Sequence, residues 1–452
     1  MLSLPNFIEN EPTFDKKSYF KNKRFLHYEF ALFLFNRHSG CLLDGIPHVF
    51  TGKKYEPVDK YTIRSLTMNY IPTLTENQNK EVYFKLDALC RDNECEQADA
   101  RYIGVKNGVY DVVDKKLHNF SPDFRITNVI NAQYVPNATS DEVDNFIKDL
   151  SNDDQEVYQL IIEMIGYGLF RDNFLQVAFF FYSPGSNGKS SLFKLLHRFY
   201  GQYNTTALTL EDLNSRFKPS SLKGSLVNIA DDINANFLKD TGNYKTIVTG
   251  DTLNVERKGQ DDFSFTPYVK LMFAGNELPH TSDKSDGFYR RMVIIPMFRK
   301  FGTNGHKKDP RIISKLTTDY NLSALLNLAI NGLENLLDKG EIIIPQVAKE
   351  TKEQYEYEND PVLQFIHEAD NDLYRQLPVI EGRPTTTTYT IYQEWCYKNG
   401  YKPYSKAKLT RDLTRLGYKV KVKIRPQSRK TVKVYYLENK TTVFYDEQGD
   451  NF

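Results

Sequence analysis

The feature that most constrains this chain is a glycine-rich turn between an apolar run and an amphipathic run, within FFFYSPGSNGKSSLFKLL at residues 179–196. Residues 177–182 have the continuous apolar character of a buried strand, and residues 191–199 place apolar side chains at helical spacing. A strand, a loop of small residues and a helix in this order direct backbone N–H groups and a helix N-terminus at one point. The segment therefore predicts an anion-binding loop in an α/β fold.

The residues of this loop predict a nucleoside triphosphate as the anion. Lys189 is placed to bridge the β- and γ-phosphates, and the Ser190 hydroxyl to ligate Mg²⁺. The motif G-x-x-x-x-G-K-[ST] begins with Gly, where this chain has Ser183, so we expect Gly185 to supply the freedom of the turn. The alternative is a chance match on a surface loop. The predicted nucleotide-binding residues are Pro184, Gly185, Ser186, Asn187, Gly188, Lys189, Ser190 and Ser191.

Composition limits the class of protein. The 452 residues are enough for about two to four domains, and 59 basic against 58 acidic residues give no overall attraction to nucleic acid. Four cysteines are too few for a disulfide framework, which predicts a reducing, cytoplasmic location. No signal peptide or apolar run of ~20 residues is visible, so we expect no membrane partner. Cys90 and Cys95 have the spacing of half a zinc site, without a matching second pair.

Two further strand ends carry polar residues of the kind that hydrolysis requires. Asp231 and Asp232 follow the apolar run 226–230, and we expect Asp231 to hold Mg²⁺ and Asp232 to polarise the attacking water. An N-cap of the next segment is the alternative. Asn276 follows the apolar run 269–274, and we expect it to bind water and the γ-phosphate, although Asn is also an ordinary turn residue.

Two adjacent arginines, Arg290 and Arg291, precede the next apolar run. Such a pair is usually a solvated face. In an oligomeric ATPase, however, one of them reaches the γ-phosphate bound by the neighbouring subunit, as an arginine finger. We therefore count both among the predicted catalytic residues.

Four segments resemble, in order and spacing, the superfamily 3 helicases of viruses, phages and plasmids, and the poxvirus- and phage-type primase-helicases in particular. The segments are SPGSNGKS, LVNIADDI, GDTLNVERKGQDDFSFTPYVKLMFAGNELP and DGFYRRMVIIPMF. The resemblance implies an AAA+-type core that assembles as a hexameric ring and translocates on single-stranded DNA. It assigns Lys189 and Ser190 to the Walker A motif, Asp231 and Asp232 to Walker B, Asn276 to the sensor, and Arg291 as the preferred finger. The catalytic primase domain of longer relatives is absent, so unwinding is expected without primer synthesis.

The stretch TLNVERKGQDDFSFTP alternates apolar and polar residues on both sides of residues 257–260, which predicts a β-hairpin with a charged tip. The resemblance implies that this hairpin projects into the ring channel, where Lys258 grips the strand backbone with Arg257 beside it. Phosphate contacts are independent of base sequence, which suits a translocating motor. The alternative is a solvent-exposed hairpin with ordinary surface charges.

Residues 361–440 read as three helices followed by a basic hairpin, the pattern of a winged helix. Residues 401–440 contain 13 Lys or Arg against Asp412 and Glu438, the footprint of a duplex-DNA contact. A basic solvated face or a protein-docking domain is the alternative. The predicted DNA-binding residues are Lys406, Lys408, Arg411 and Arg415 on the third helix and Arg425, Arg429 and Lys430 at the wing.

Together these patterns predict an α/β fold in three parts. Residues 1–140 form an α+β N-terminal domain, 141–345 an AAA+-type P-loop ATPase core, and 358–440 a winged-helix domain. The expected function is an ATP-dependent DNA helicase and replication initiator of a phage, plasmid or mobile element, in the cytoplasm of a bacterial host. Its expected cofactors are ATP and Mg²⁺. Its expected partners are single-stranded DNA, duplex origin DNA, further copies of itself in a homohexamer, and a host or element primase and polymerase.

Two other functions fit parts of the sequence. An ATP-regulated DNA-binding protein without unwinding activity needs the nucleotide loop and the basic module. A small-molecule kinase needs only the loop, and the basic hairpin and the paired arginines argue against it.

Overall fold

The structure of the protein, a computed structural model, describes residues 14–183, 185, 187–231, 238, 240–259, 262–281, 283–302, 308–370, 380–424 and 430–438. The chain divides into two compact units, unit 1 at Met1–Lys349 and unit 2 at Glu350–Phe452. Unit 1 contains both of the first two predicted domains, and their proposed boundary near residue 140 stays a prediction.

The N-terminal part of unit 1 packs helices and short strands around an aromatic and aliphatic core. Phe30 and Leu34 of the first helix and Leu86 of the third helix are fully buried in that core. The third helix begins at a capping box in which Thr75 and Gln78 bond reciprocally. The elements are β1 (Phe20–Lys21), β2 (Arg24–Phe25), α1 (His27–Arg37), β3 (Cys41–Leu43), β4 (Ile46–Phe50), β5 (Tyr55–Pro57), α2 (Lys60–Tyr70) and α3 (Glu76–Arg91).

A three-stranded antiparallel meander follows, with its first turn at Asn107. It consists of β6 (Tyr102–Val105), β7 (Gly108–Asp111) and β8 (Lys116–His118). The buried Asp111 carboxylate receives the Arg101 Nε at 2.8 Å and the backbone N–H groups of Val113 and Asp114. These bonds hold the turn between β7 and β8.

The rest of unit 1 is built around a five-stranded parallel sheet in the order β10-β11-β14-β9-β15. Helices and strands alternate along this part of the chain, which confirms the predicted α/β core. The elements are α4 (Asp141–Leu150), α5 (Gln155–Tyr167), β9 (Ala178–Tyr182), α6 (Lys189–Tyr200), β10 (Thr205–Thr206), β11 (Val227–Ala230), α7 (Gly242–Thr249), β12 (Leu253–Val255), β13 (Phe263–Phe265), β14 (Lys270–Gly275), α8 (Asp286–Tyr289), β15 (Met292–Pro296), α9 (Ile312–Leu316) and α10 (Asp319–Lys339).

The apolar run that predicted the strand before the loop is β9, and its three consecutive phenylalanines at 179–181 are fully buried. A strand covered on both faces is apolar throughout, as parallel sheets require.

Helices α5 and α10 approach each other closely at two glycines. A Cβ at Gly166 would lie 2.2 Å from the Ala329 carbonyl oxygen, and one at Gly332 would lie 2.7 Å from that of Ile162. Substitution at either glycine would therefore separate the two helices.

Unit 2 contains helices and a basic antiparallel hairpin around a compact core that includes Phe365, Tyr392, Leu409 and Tyr435. The elements are α11 (Gln346–Asn359), which begins in unit 1, α12 (Pro361–Asp370), α13 (Thr385–Lys398), α14 (Lys406–Arg415), β16 (Tyr418–Ile424) and β17 (Thr431–Leu437). The three helices and the hairpin expected after residue 360 are present.

Local sequence accounts for two helices around unit 2. The polar stretch 348–359 is helical in α11, because its Glu, Lys and Gln residues are good helix formers. Helix α13 begins at Thr385. The run of threonines hides this start, but Thr385 and Thr388 are buried and Pro384 occupies the N-cap position.

Among the helices that the structure describes, none combines the length and the apolar character that a membrane-spanning segment requires.

Candidate functional site

Three adjacent strands bring the predicted polar residues to one edge of the sheet. Strand β14 lies between β11 and β9, and all three run parallel. Their carboxyl ends therefore meet at the same edge. Asp231 follows β11, Asn276 follows β14, and the glycine-rich loop follows β9. This is the edge at which ligands bind in open α/β sheets.

A cavity of about 1090 Å³ opens at this edge. It collects the described residues of the predicted loop together with both strand-end side chains. The residues that the structure brings together here are Gly185, Asn187, Gly188, Lys189, Ser190, Ser191, Asp231 and Asn276. Pro184, Ser186 and Asp232 lie outside the described residues.

The Lys189 ammonium lies against the ends of β9 and β14. Its Nζ donates to Ser183 O and Ser183 Oγ, both at 2.9 Å, to Gly275 O at 2.8 Å and to Asn276 Oδ1 at 2.9 Å. These four acceptors are neutral oxygens. An arriving phosphate would replace some of these dipoles as a partner of the ammonium.

Ser183, which replaces the first glycine of the motif, organises the loop through its hydroxyl. The side chain is fully buried and donates to Asn187 Oδ1 at 2.9 Å, while it accepts from Lys189 and from the Gly185 N–H at 3.4 Å. Asn187 in turn donates to Arg299 O at 2.7 Å. The sequence motif has glycine at this position and gives no indication of this role for Ser183.

The two glycines of the loop supply the backbone conformations that the turn needs. Gly185 has φ +107° and Gly188 has φ +86°, whereas Ser183 lies outside the positive-φ region. The freedom of the turn is thus found at Gly185, as expected from the shifted motif. A Cβ at Gly188 would lie 2.7 Å from Leu150 Cδ2 and 3.1 Å from Phe301 Cε2, so the helix start has space only for glycine.

Another part of the cavity lining was not anticipated from the sequence. Phe146 of α4, Phe301 after β15 and Ile312 of α9 are its apolar members. They come from segments more than 150 positions apart, and no local motif marks them. A lining that combines apolar and polar side chains is typical of a small-molecule site. The polar and charged members are Glu142, Asn145, Asp149, Lys308, Asp309 and Lys315.

The residues present fit a nucleoside triphosphate with Mg²⁺. The cavity volume slightly exceeds the ~300–1,000 Å³ usual for ligand pockets, and the loop offers N–H groups and an ammonium. Ser190 and Asp231 are exposed in the cavity and supply the hydroxyl and carboxylate oxygens that Mg²⁺ prefers. In the described part of the chain, no cluster of three or more His, Cys, Asp or Glu side chains is placed to hold a metal, including at Cys90 and Cys95.

The predicted basic hairpin is present as the antiparallel pair β12 and β13. Lys258 is exposed at its tip beside Gly259, whose φ is +75°. Arg257 is half-buried, because its guanidinium lies 4.6 Å from the centroid of the Phe263 ring. The tip therefore presents one exposed lysine, supported by an arginine that packs on the hairpin itself.

The two arginines lie at the opposite end of the sheet from the loop. Arg291 directly precedes β15, whose first residue Met292 pairs with Ala178 at the start of β9. Strand β9 spans about 13 Å before the loop begins. Arg291 is 9% exposed and its guanidinium donates to Gly287 O, and burial lowers the pKa of the guanidinium. Arg290 is exposed.

The basic residues of helix α14 have different surroundings. Arg411 and Arg415 are both exposed, and the Arg415 guanidinium also pairs with the buried Asp360 carboxylate. Lys408 Nζ lies 3.4 Å from the Tyr404 ring centroid, and burial with Lys433 nearby lowers the pKa of Lys406. Lys430 is exposed before β17, and Arg425 and Arg429 lie outside the described residues.

Three family models match separate parts of the chain. "D5 N terminal like" matches residues 45–152, "Family of unknown function (DUF5906)" matches 181–291, and "Poxvirus D5 protein-like" matches 357–447. The middle match runs from β9 through Arg291, and so contains the cavity loop, both strand ends and the hairpin. The last match contains α12 to β17.

Two curated relatives bear helicase names. "Putative helicase L207/L206" of Acanthamoeba polyphaga mimivirus is 26% identical over 322 residues, which cover 66% of this chain and 33% of that protein. "Putative helicase 121R" of Invertebrate iridescent virus 3 is 27% identical over 216 residues, 44% of this chain and 23% of that protein. The chain thus spans a third or less of the length of these relatives.

Solved structures show a similar fold. Two apo structures of the NrS-1 C-terminal region have a TM-score of 0.52 at 13% and 12% identity, and each comparison covers 91% of this chain and 98% of that chain. At this identity the likeness concerns the fold alone. The D5 matches at both ends and the helicase-named relatives agree with the motifs around the cavity. The chain therefore contains D5-like domains and is similar to D5-like superfamily 3 helicases.

Proposed function

We propose that the protein is an ATP-driven DNA helicase that acts as a hexameric ring and initiates replication of a phage, plasmid or mobile element. The observation that carries this proposal is one cavity uniting Lys189, Asp231 and Asn276, with an exposed lysine hairpin in the same unit. An ATP-regulated DNA-binding protein that never unwinds DNA remains the alternative. A primase and a polymerase, from the host or the element, are the proposed functional partners.

The proposed nucleotide chemistry assigns one task to each side chain of the cavity. Lys189 leaves some of its four oxygen partners and binds the β- and γ-phosphates. Ser190 and Asp231 hold Mg²⁺, which neutralises charge on the phosphates when it is bound. Asn276 Oδ1, now an acceptor of Lys189, becomes available to orient water when the lysine turns to phosphate. Asp232 keeps its proposed role as the base that polarises this water.

The proposed strand contact is Lys258 at the hairpin tip. Its side chain is exposed, and the packing of Arg257 on Phe263 stiffens the hairpin behind it. A single cation on a supported hairpin binds a phosphate without reading the base. The same contact repeated in each subunit of a ring would follow a strand through the channel.

The proposed origin contact is the basic module of unit 2, for which we propose a winged-helix arrangement with α14 as the recognition helix. Arg411 and Arg415 are both exposed on that helix, but the Arg415 guanidinium is paired with the buried Asp360 carboxylate. We therefore assign base contact to Arg411 and phosphate contacts to Lys406, Lys408 and the wing residue Lys430.

The test compares Lys258→Ala with Arg411→Ala. Loss of the hairpin lysine should abolish unwinding of a forked duplex while leaving binding to origin duplex intact. Loss of Arg411 should weaken specific duplex binding by about 1–3 kcal/mol and preserve unwinding of a preformed fork. Strand displacement with ATP and gel shifts on duplex DNA measure the two activities, with Lys60→Ala as an exposed-lysine control and Lys189→Ala as the nucleotide-dead reference.

Three outcomes have different meanings. Parallel loss of both activities in folded variants would contradict the separation of the two DNA contacts. Normal unwinding by Lys258→Ala would remove the hairpin from the mechanism. A parent protein that hydrolyses ATP and binds duplex but never displaces a strand would establish the regulator instead.

A further inference from the structure

A second cavity in unit 1, of about 810 Å³, lies away from the nucleotide site and is lined by basic side chains. It forms where the C-terminal half of α6 meets the segment after the meander and the N-terminal strands. Lys54, Lys106, Lys194 and Arg198 contribute to its lining, which contains no carboxylate among the described residues. We call this cavity the α6 groove.

The two cations on α6 are the unneutralised part of the groove. Lys194 and Arg198 are four residues apart, so they lie on one helix face with about 5–6 Å between their Cβ atoms, and both side chains are exposed. Within the residues that the structure describes, neither makes an ion pair. Lys106 lies 3.0 Å from the exposed Asp319 carboxylate, and Lys54 lies 3.9 Å from Glu56. The charges of Lys106 and Lys54 are therefore partly neutralised by these carboxylates.

His197 adds polarity but no charge to the groove. Burial lowers the pKa of its imidazole, and its Nδ1 lies 3.4 Å from Thr205 Oγ1. The positive potential therefore comes from Lys194 and Arg198 together with the two edge lysines.

An exposed aromatic ring stands beside these cations. Tyr203 is 85% exposed, and Lys54 Nζ lies 5.4 Å from its ring centroid. The turn that carries it, Gln202–Asn204, is firmly held, because the buried Asn204 side chain donates to Val129 O at 2.8 Å and Tyr200 O at 2.7 Å. A large ring on a fixed turn is a ready stacking surface, since little side-chain entropy is lost when a planar group covers it.

We propose that the α6 groove binds single-stranded nucleic acid, with Lys194 and Arg198 on consecutive phosphates and a base stacked on Tyr203. Cations that track a backbone beside an aromatic platform are the chemistry by which proteins bind single strands without reading sequence. A duplex offers no free base face to Tyr203, and an isolated phosphate needs no aromatic ring. The groove thus supplies a strand contact separate from the hairpin and independent of nucleotide turnover.

The test measures the affinity of the full chain for an end-labelled oligothymidylate by fluorescence anisotropy, over a series of salt concentrations and without ATP. The variant Lys194→Ala/Arg198→Ala should lower the salt dependence of log affinity by about 1.4, because each phosphate of a single strand that a cation neutralises contributes about 0.7. Tyr203→Ala should weaken binding roughly 5- to 150-fold, the range for loss of one base stack, and Tyr203→Phe should retain affinity.

The matched control is Lys60→Ala/Arg64→Ala, a lysine and an arginine with the same spacing, both exposed on α2 outside the groove. It should leave the salt slope unchanged. Repeating the series in the Lys258→Ala background separates the groove from the hairpin, because the effect of the groove variant should persist there whether or not the hairpin contacts DNA. Melting temperature and ATP hydrolysis without DNA should match the parent in every groove variant.

Several results would overturn the proposal. Equal slopes for the groove and control variants would mean that Lys194 and Arg198 belong to a solvated helix face. Equal weakening for blunt duplex and single strand, or full competition by inorganic phosphate, would contradict the single-strand assignment. A change in oligomeric state of the groove variants by light scattering would identify the surface as a contact between copies.

Discussion

Replacing Ser183 by alanine is expected to weaken nucleotide binding although Ser183 itself need not touch the nucleotide. The hydroxyl is fully buried at the end of β9 and makes three hydrogen bonds, to Asn187, Lys189 and the Gly185 N–H. Alanine removes all three and leaves the backbone in place, because Ser183 lies outside the positive-φ region. The substitution thus tests whether the hydroxyl holds the loop in its binding shape.

The magnitude follows from counting donors and acceptors. Lys189 has three N–H bonds and four acceptors, so three acceptors remain after the substitution and the lysine loses little. Asn187 is 2% exposed, and its amide oxygen loses the hydroxyl that donates to it. An unsatisfied buried acceptor costs about 1–3 kcal/mol, and the Gly185 N–H is near enough to the cavity to bond water. We expect a loss of about 1–2 kcal/mol, or about 5- to 30-fold in affinity.

The assay is a titration with a fluorescent nucleoside triphosphate analogue and Mg²⁺, on Ser183→Ala, Asn187→Ala and the double variant. Both single changes break the same hydrogen bond. The double variant should therefore bind nucleotide about as weakly as the single variant with the lower affinity, and the coupling energy between the two positions should be about 1 kcal/mol. Ser183→Gly should lose as much as Ser183→Ala. Ser220→Ala, whose hydroxyl donates to Phe217 O away from the cavity, serves as control.

Two results would refute this reasoning. Affinity of Ser183→Ala within twofold of the parent would show that the hydroxyl does not shape the loop. Strict additivity of the two single variants would show that the Ser183–Asn187 bond carries no energy, whatever the single effects are.

Two other predictions concern Arg290 and Arg291, and Lys270. Arg290→Ala or Arg291→Ala, whichever removes the arginine that acts on the neighbouring subunit, should abolish ATP hydrolysis. Mixing that variant with Lys189→Ala subunits should restore hydrolysis. No recovery in confirmed mixed rings would contradict action in trans. Burial lowers the pKa of Lys270 to about 7. Between about pH 7 and the ordinary lysine pKa of 10.5, the unfolded chain binds a proton at Lys270 that the folded chain does not. The free energy of unfolding should therefore increase as the pH rises through this window. Lys270→Met should flatten the rise in melting temperature between pH 7 and 9, and an unchanged slope would assign it to other groups.

The parts of the fold that local pattern determines were predictable from the sequence. The strand before the loop, helix α6 after it and the hairpin β12–β13 follow from apolar periodicity and turn residues over short stretches. The order of the strands in the sheet has no such local signal. The strand order nevertheless brings Asp231 and Asn276 to the same cavity as Lys189, because β14 lies between β11 and β9.

The parts of the site that long-range packing determines were not predictable in this way. Phe146 and Phe301 come together at the cavity from distant segments, and neither stands in a recognisable pattern. Arg415 pairs with Asp360, 55 positions earlier, which separates its role from that of Arg411 on the same helix. From the sequence alone the two arginines were equivalent, since spacing on a helix reports which face a residue occupies and not which partner it meets.

The topology of the sheet also constrains what the paired arginines can do. Parallel strands place Arg290 and Arg291 at the amino end of β15 and Lys189 beyond the carboxyl end of the adjacent β9, so the length of β9, about 13 Å, lies between them. An arginine cannot cross that distance on its own side chain, and a role in the nucleotide site of its own chain is therefore ruled out by geometry. If these arginines contribute to hydrolysis, the phosphate must belong to another copy. A ring is the closed arrangement in which each copy supplies its arginines to the next through the same heterologous contact. In such a ring we expect the exposed Arg290 to reach the neighbour and the buried Arg291, anchored on Gly287, to hold the start of β15, which reverses the preference for Arg291 that the resemblance implies.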